Sequence, residues 1–292
     1  YARNLADKLK GWGYEREVAI MQSNGGVAPL RQLSERAAYI VRSGPAAGVT
    51  AAARIAAESG FSHVITGDMG GTSFDVAVII NGQPEVAELT NLDFRIPMRL
   101  PMIDVHTIGA GGGSIAHLDR GGMLQVGPRS AGAMPGPVAY RRGGTEATVT
   151  DANVLLGRID PAHFLGGEMQ LDLAAAERAM QSHIAKPLGM TTTQAASGIL
   201  RIAAAAMSHA VKGVTTDRGL DTGAFPHLFA YGGAGPLHAS MVARELRIPH
   251  VVIPRAPGHF SAFGMLLADF RRDLVRSHFI TLAELSLPQL DA

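Results

Sequence analysis

The stretch Gly67-Asp68-Met69-Gly70-Gly71-Thr72-Ser73-Phe74-Asp75 carries residue types suited to phosphate chemistry. Its paired glycines remove side-chain bulk, so backbone N–H groups can approach an anion, and the hydroxyls of Thr72 and Ser73 add donors. A carboxylate in such a turn repels phosphate unless a divalent cation bridges the charges or the carboxylate positions an attacking water. Asp68, with Asp75 as a second candidate catalytic carboxylate, therefore points to phosphoryl transfer, with Mg2+ held at Asp68 or an attacking water positioned by it. The same residues also suit a glycine-rich hairpin whose aspartates cap the turn.

Two further glycine turns have similar equipment. Gly109 to Ser114 places Gly111, Gly112 and Gly113 where backbone can approach a ligand, directly after Asp104-Val105-His106. On a strand over Ile103 to Ile108, a spacing of two puts Asp104 and His106 on one face, able to hold a metal, relay a proton or contact substrate. A core histidine satisfied by the aspartate is the competing reading. Gly232, Gly233 and Gly235 precede Pro236 and a helix, whose N-terminus offers free N–H groups and a positive dipole end. Asp151 and Asn153 either border a polar cleft or, for Asp151, cap a helix. His238 and His259 read as packing or surface residues, and Arg141-Arg142 as a solvated pair.

The elements that must position these groups follow from turn formers and apolar runs. Strands are expected over Ser62 to Thr66 and Phe74 to Ile80, joined by the 67–73 turn and followed by an Asn81-Gly82 reversal. A helix over Tyr1 to Trp12 and a strand over Glu17 to Gln22 lead to a Ser23–Gly26 turn. Ser43-Gly44-Pro45 opens an alanine-rich helix to Ser59, stopped by Gly60. Gly121-Gly122 closes a hairpin, and the proline- and glycine-rich 127–144 stretch reads as an irregular surface loop. Helices over Asp172 to Leu188 and Thr191 to Val214 make a helical subregion at about 160–216 within an α/β core. Strand 228–231, helix 237–246 and strand 250–253 form a βαβ pattern with a right-handed crossover, and a last helix spans Ser261 to Asp269.

Composition narrows the function classes. With 26 basic and 25 acidic residues the formal net charge is +1, so no global field attracts nucleic acid or an anionic membrane. The most apolar helical stretch, Ile199 to Met207, falls far short of the ~20 residues of a bilayer span. The 292 residues contain no cysteine, which removes thiolate chemistry and cysteine-ligated zinc and is compatible with a reducing cytoplasm. The sequence begins at Tyr1 without methionine and trails off through Leu285 to Ala292, which reads as a fragment of a longer chain.

DMGGTSFDV, IGAGGGSIA (108–116), VGPRSAGAMPGPVAY (126–140), TVTDANVLLGR (148–158), YGGAGPLHA (231–239) and PGHFSAFGMLLAD (257–269) occur here in order. In that order they resemble the hydantoinase A/5-oxoprolinase family, over nearly the whole chain, and the first also resembles the second phosphate loop of the actin, Hsp70 and sugar-kinase superfamily. The resemblance implies an α/β, actin-like/Hsp70-like ATPase (ribonuclease H-like) lobe, a mixed sheet flanked by helices, as one hydantoinase A-type domain over 1–292. It further implies ATP and Mg2+ as cofactors, with nucleotide contacts at Gly70, Gly71, Thr72, Ser73, Gly232, Gly233 and Gly235. The implied activity is ATP-dependent opening of a cyclic amide such as hydantoin or 5-oxoproline by phosphorylation of the amide oxygen, with a hydantoinase B-type partner and oligomeric assembly. Acetone- and acetophenone-type carboxylase subunits share these motifs, and a non-catalytic nucleotide-binding or assembly lobe is the third reading. The family's first phosphate turn, another Asp-x-Gly-Gly-Thr, has no second copy here and is expected upstream of Tyr1, with weak ATP turnover by the isolated chain. Two departures stand out: Arg218-Gly219-Leu220-Asp221 is followed by Thr222-Gly223 where relatives carry Pro-Arg, and Ala139 stands where many carry cysteine.

Overall fold

The computed structural model describes residues 2–92 and 96–274; Tyr1 and the 285–292 tail considered above lie outside them. The chain opens with helix α1 (Ala2–Gly11), hairpin strands β1 (Ala19–Met21) and β2 (Val27–Pro29), a short helix α2 (Leu30–Leu33) and the long helix α3 (Ser43–Glu58). Strands β3 (Val64–Met69) and β4 (Phe74–Ile80) follow, then short strands β5 (Gln83–Pro84), β6 (Val86–Ala87), β7 (Thr90–Leu92), β8 (Ile96–Met98), β9 (Met102–Ile103) and β10 (His106–Ile108). The hairpin β11 (Ser114–Leu118) and β12 (Leu124–Ser130) leads into helices α4 (Val149–Leu155), α5 (Leu173–Met180) and α6 (Thr192–Val214). Strand β13 (His227–Tyr231), helix α7 (Gly235–Leu246), strand β14 (His250–Val252) and helix α8 (Phe260–Leu267) complete the described fold.

The central sheet runs β10-β4-β3-β13-β14, with β5 also against β4. Strands β3, β13 and β14 are parallel, whereas β4 is antiparallel to both β3 and β10. The strand, helix, strand pattern read from His227 onward is thus a parallel pair joined by α7, as a βαβ unit requires. Because both faces of the sheet are covered, its strands are almost continuously apolar. Ile65, Met69, Val76, Val78, Leu228 and Ala230 face α6 and α7. Their alternates Val64, Ala77, Ile79, Phe229 and Tyr231 face the alanines of α3 and Phe260 of α8.

Helix α3 ends as its sequence dictates, with Gly60 at φ +76° taking the left-handed position after the last turn. Against it lies α8, close enough that a Cβ added to Gly264 would fall on the carbonyl oxygen of Ala47. Small residues here let two helix backbones touch, which seats α8 over the same sheet face as α3. Helix α6 begins with a reciprocal capping box between Thr191 and Gln194.

Several elements depart from the sequence-based expectation. The 103–108 strand is interrupted: β9 pairs with β6 and β10 with β4, and Asp104-Val105 lie between the two ladders. The 172–188 helix is α5, capped by the Asp172 carboxylate on the Ala175 N–H, and then widens into a π turn at Gln181–Ala185. The 127–144 stretch is not all surface loop, since β12 extends to Ser130 and Val138 and Ala139 are buried. Asp151 is not an N-cap. Thr148 caps α4, and Asp151 completes the capping box from inside the helix. Its buried carboxylate also accepts the N–H groups of Val138 and Ala139, which pins that loop to α4. The helices expected across 160–216 are α5 and α6, and α6 packs on β4, β10 and β12 rather than standing apart from the sheet.

Gly264→Ala forces a methyl group into the backbone of α3 and is expected to destabilise the protein by about 1–3 kcal/mol. Urea unfolding of the variant checks this, and unchanged stability would show that the two helices are not seated backbone to backbone.

Candidate active site

The 70–73 turn caps β3 and β4, and its two leading carbonyls are taken by protein donors. Gly112 N–H donates to Gly70 O at 3.0 Å and Gly113 N–H to Gly71 O at 2.7 Å, while Gly70 N–H donates to Ser73 O at 3.1 Å. The N–H groups of Gly71, Thr72 and Ser73 find no acceptor among the described residues. Nothing lies within 4 Å of a Cβ built at Gly70, Gly71 or Gly233, so the turn faces open space. Free N–H groups facing open space have donors an anion can reach.

The second glycine turn has another role than expected. Gly111 N–H donates to Ser114 Oγ at 2.9 Å, and those of Gly112 and Gly113 hold the 70–73 turn, so none of the three remains free for a ligand. Gly112 O in turn accepts both the N–H and the hydroxyl of Thr150, each at 2.8 Å, which fixes the turn to the start of α4. A Cβ at Gly111 would lie 2.5 Å from Thr72 N, so this turn is glycine because two backbones meet.

The third glycine turn sits beside the first, as parallel pairing of β13 with β3 requires, with Tyr231 next to Asp68. Ala234 N–H donates to Met69 O at 2.9 Å and Gly232 N–H to Pro257 O at 2.9 Å. Gly232 has φ +83°, and a Cβ there would fall on Asp68 Oδ1. Only glycine lets this turn pass the carboxylate. Helix α7 starts immediately afterwards with a proline in its first turn and no side-chain cap, leaving its N-terminal end open.

Asp68 and Asp75 are direct cross-strand partners, so their side chains share the α3 face of the sheet, about 5 Å apart at Cβ. Burial pushes the Asp68 carboxyl up to about 6, against the pull of the Ser261 hydroxyl and with a further push from the Asp75 charge. Ser261 Oγ donates to Asp68 Oδ2 at 3.1 Å. Asp75 is also raised, by burial, against a hydrogen bond from Thr107 and the charge of Arg42. Its Oδ1 is buried with no hydrogen-bond partner, an orphaned anionic oxygen that a cation would satisfy. Tyr231, fully enclosed beside this pair, is kept protonated by burial and by the Asp68 charge.

Asp104 and His106 do not join them. The Asp104 carboxylate is held by the Arg218 guanidinium. His106 pairs with Val76, which directs it to the opposite sheet face, where its ring is exposed near Gly213 of α6. His238 is buried between α7 and α4, 3.2 Å from the Asn153 amide, and burial followed by the Arg158 charge lowers it to about 4. It is a neutral packing residue, while His259 is exposed just before α8. Ser261, Thr107, Arg42 and Tyr231 are the neighbours of the carboxylates that sequence reasoning missed. Ser261 lies inside the PGHFSAFGMLLAD motif, which was the available signal. Among the described residues no group of three or more histidine, aspartate or glutamate side chains is gathered as a metal cage, and no helix is long and apolar enough to cross a membrane.

A carboxyl raised from 3.8 to about 6 means that the native state holds a proton between those pH values that the unfolded chain has released. Native stability contributed by that proton is present at low pH and is lost as pH rises through about 6. Asp68→Asn is therefore expected to raise the melting temperature relative to wild type at pH 8 and to give no gain at pH 4. An equal shift at both pH values would contradict this.

The sequence matches the hydantoinase/oxoprolinase family profile over residues 1–274. It is 45% identical to caprolactamase subunit alpha of Pseudomonas jessenii over 94% of this chain and 39% of that one. A nucleotide-free structure of acetone carboxylase superposes with a TM-score of 0.83 at 30% identity, over 92% of this chain and 38% of its own. The ATP-dependent caprolactamase of Pseudomonas jessenii superposes with a TM-score of 0.77 at 40% identity, over 92% and 39%. The chain thus spans about two fifths of the length of these relatives, and their fold is the actin-like ATPase type with the mixed, helix-flanked sheet seen here. On the family match across nearly all of its length, this chain belongs to the hydantoinase/oxoprolinase family.

Proposed function

We propose that the protein hydrolyses a cyclic amide of the hydantoin or 5-oxoproline type in an ATP-dependent reaction, with this chain supplying the nucleotide- and phosphate-binding lobe. One observation carries the reading: a glycine turn with three unpartnered N–H groups stands beside two cross-strand carboxylates, in a chain of this family. The orphaned Asp75 Oδ1 and the half-buried Asp68 fit a magnesium ion, a hard cation that takes carboxylate oxygens. ATP with Mg2+ would supply the phosphoryl group that makes the ring carbon electrophilic: phosphorylation of the amide oxygen releases ADP, water adds to the carbon, the C–N bond breaks with the nitrogen leaving as a protonated amine, and a second water releases phosphate from the resulting acyl phosphate.

This chain's residues then have separable tasks. The N–H groups of Gly71, Thr72 and Ser73, with the hydroxyls of the latter two, bind phosphate oxygens. Asp68 and Asp75 would hold the metal, and Asp68 would orient the attacking oxygen or accept its proton once ionised. Gly232, Gly233 and Gly235, with the open N-terminus of α7, border the nucleoside side. Gly111, Gly112 and Gly113 act one layer back, holding the phosphate turn in place. A hydantoinase B-type partner, oligomeric assembly and a cytoplasmic location belong to the same reading. The partner and assembly are supported by relatives named as subunits, and the location is consistent with the absence of cysteine.

The superposition on acetone carboxylase favours a second reading, a subunit that uses ATP to activate a ketone for carboxylation. Full-length protein with its partner, assayed with Mg-ATP against hydantoin, 5-oxoproline, small lactams and ketones plus bicarbonate, separates the two. Ring opening coupled to ADP release is expected; consumption of ketones alone would overturn the amide reading, and no ATP turnover with any of them would favour an assembly lobe. Asp68→Ala in the same protein is expected to lower kcat about 100-fold or more while nucleotide affinity changes only a few-fold. A parallel collapse of folding stability would instead make Asp68 a structural hairpin residue.

A further inference from the structure

The two oxygens of Asp68 face different parts of the fold. Oδ1 lies against the Gly232 turn, where any Cβ would displace it, and Oδ2 accepts the Ser261 hydroxyl. Ser261 reaches it from α8, across a gap left by α3: a Cβ at Gly48 would sit 2.7 Å from Ser261 Oγ and 2.9 Å from Tyr231 Oη. Gly48 therefore leaves a seat that the serine hydroxyl and the tyrosine phenol fill together. The α8 helix that carries Ser261 is itself locked to α3 where Gly264 meets Ala47, so the hydroxyl has little freedom to move away. Among the described residues Ser261 is the side chain that hydrogen-bonds this carboxylate.

We propose that Ser261 is a positioning residue for Asp68, fixing the orientation of its carboxylate from the helix side while the Gly232 turn confines it from the nucleotide side. This rests on the assignment of Asp68 to phosphoryl chemistry. A free carboxylate swings about its last two torsions, whereas one hydrogen-bonded at Oδ2 and hemmed in at Oδ1 keeps its lone pairs aimed at one place. The other titratable groups facing this carboxylate are Asp75 from β4 and Tyr231 from β13, with Arg42 at the start of α3 acting on Asp75. None of them changes in a Ser261 variant, so a shift in behaviour is attributable to the lost hydroxyl.

The test compares full-length wild type, Ser261→Ala, Ser261→Thr and Asp68→Asn, each with the partner subunit, by kcat and KM for ATP turnover and by melting temperature. Removing the hydroxyl is expected to lower kcat about 10-fold, with KM for ATP within about twofold and the melting temperature unchanged. Ser261→Thr, which keeps the hydroxyl, is expected to return kcat toward wild type. An unchanged kcat in Ser261→Ala, or a loss of kcat matched by a lowered melting temperature, would overturn the positioning role. If instead Asp68→Asn turns over ATP as wild type does, the functional reading of Asp68 itself fails, and the two failures are told apart.

Discussion

The active-site geometry depends on how the backbone of the 70–73 turn divides its hydrogen bonds. The carbonyls of Gly70 and Gly71 are committed to the N–H groups of Gly112 and Gly113, and the N–H groups of Gly71, Thr72 and Ser73 are left without a protein acceptor. Unpaired backbone donors are costly when buried, so they persist here because the turn opens to solvent. The fixation continues outward in layers: Thr150 grips Gly112 O, and the Thr148–Asp151 capping box fixes the helix that carries Thr150. Each layer ties backbone to backbone or to a buried, hydrogen-bonded side chain, which would keep an anion site preorganised.

Next to these donors the sheet places two carboxylates on one face. Left alone, this pair is unfavourable: burial raises both, the Asp75 charge raises Asp68 further, and one oxygen of Asp75 has no partner at all. Such an arrangement costs stability in the free protein and is relieved when positive charge enters between phosphate and carboxylate. The neighbouring groups that temper it, Ser261 on the Asp68 side and Thr107 and Arg42 on the Asp75 side, come from three separate parts of the chain. The βαβ arrangement of β13 and α7 then adds the third ingredient, a glycine turn and an open helix N-terminus on the same sheet edge as the phosphate turn.

Much of this was legible in the sequence because it is local. The β3-turn-β4 unit announces itself through β-branched runs around Gly70-Gly71, and Asn81-Gly82, both with positive φ, mark the reversal. The α7 unit was equally plain, since Gly232 to Pro236 has few other uses. What could not be read depends on distance or partnership. Ser261 stands 193 residues from Asp68, and the packing of α8 on α3 and of the segment before α8 on the Gly232 turn unites them. Gly109 to Ser114 has the composition of a ligand turn, but composition does not say whether N–H groups meet a phosphate or another turn's carbonyls. Asp104 and His106 looked like one face of a strand because period-two reasoning assumes an unbroken ladder, and here the chain changes pairing partner between them.

On the proposed reading, this chain would supply half of a nucleotide clamp, with Asp68 beside its free N–H groups. The most direct measurement is a crystal structure of the full-length protein with Mg2+ and a non-hydrolysable ATP analogue. The account predicts phosphate oxygens within hydrogen-bonding distance of the N–H groups of Gly71, Thr72 and Ser73, the metal beside Asp68 and Asp75, and the nucleoside toward Gly232 to Gly235. A nucleotide bound elsewhere, with those three N–H groups still unpartnered, would contradict it.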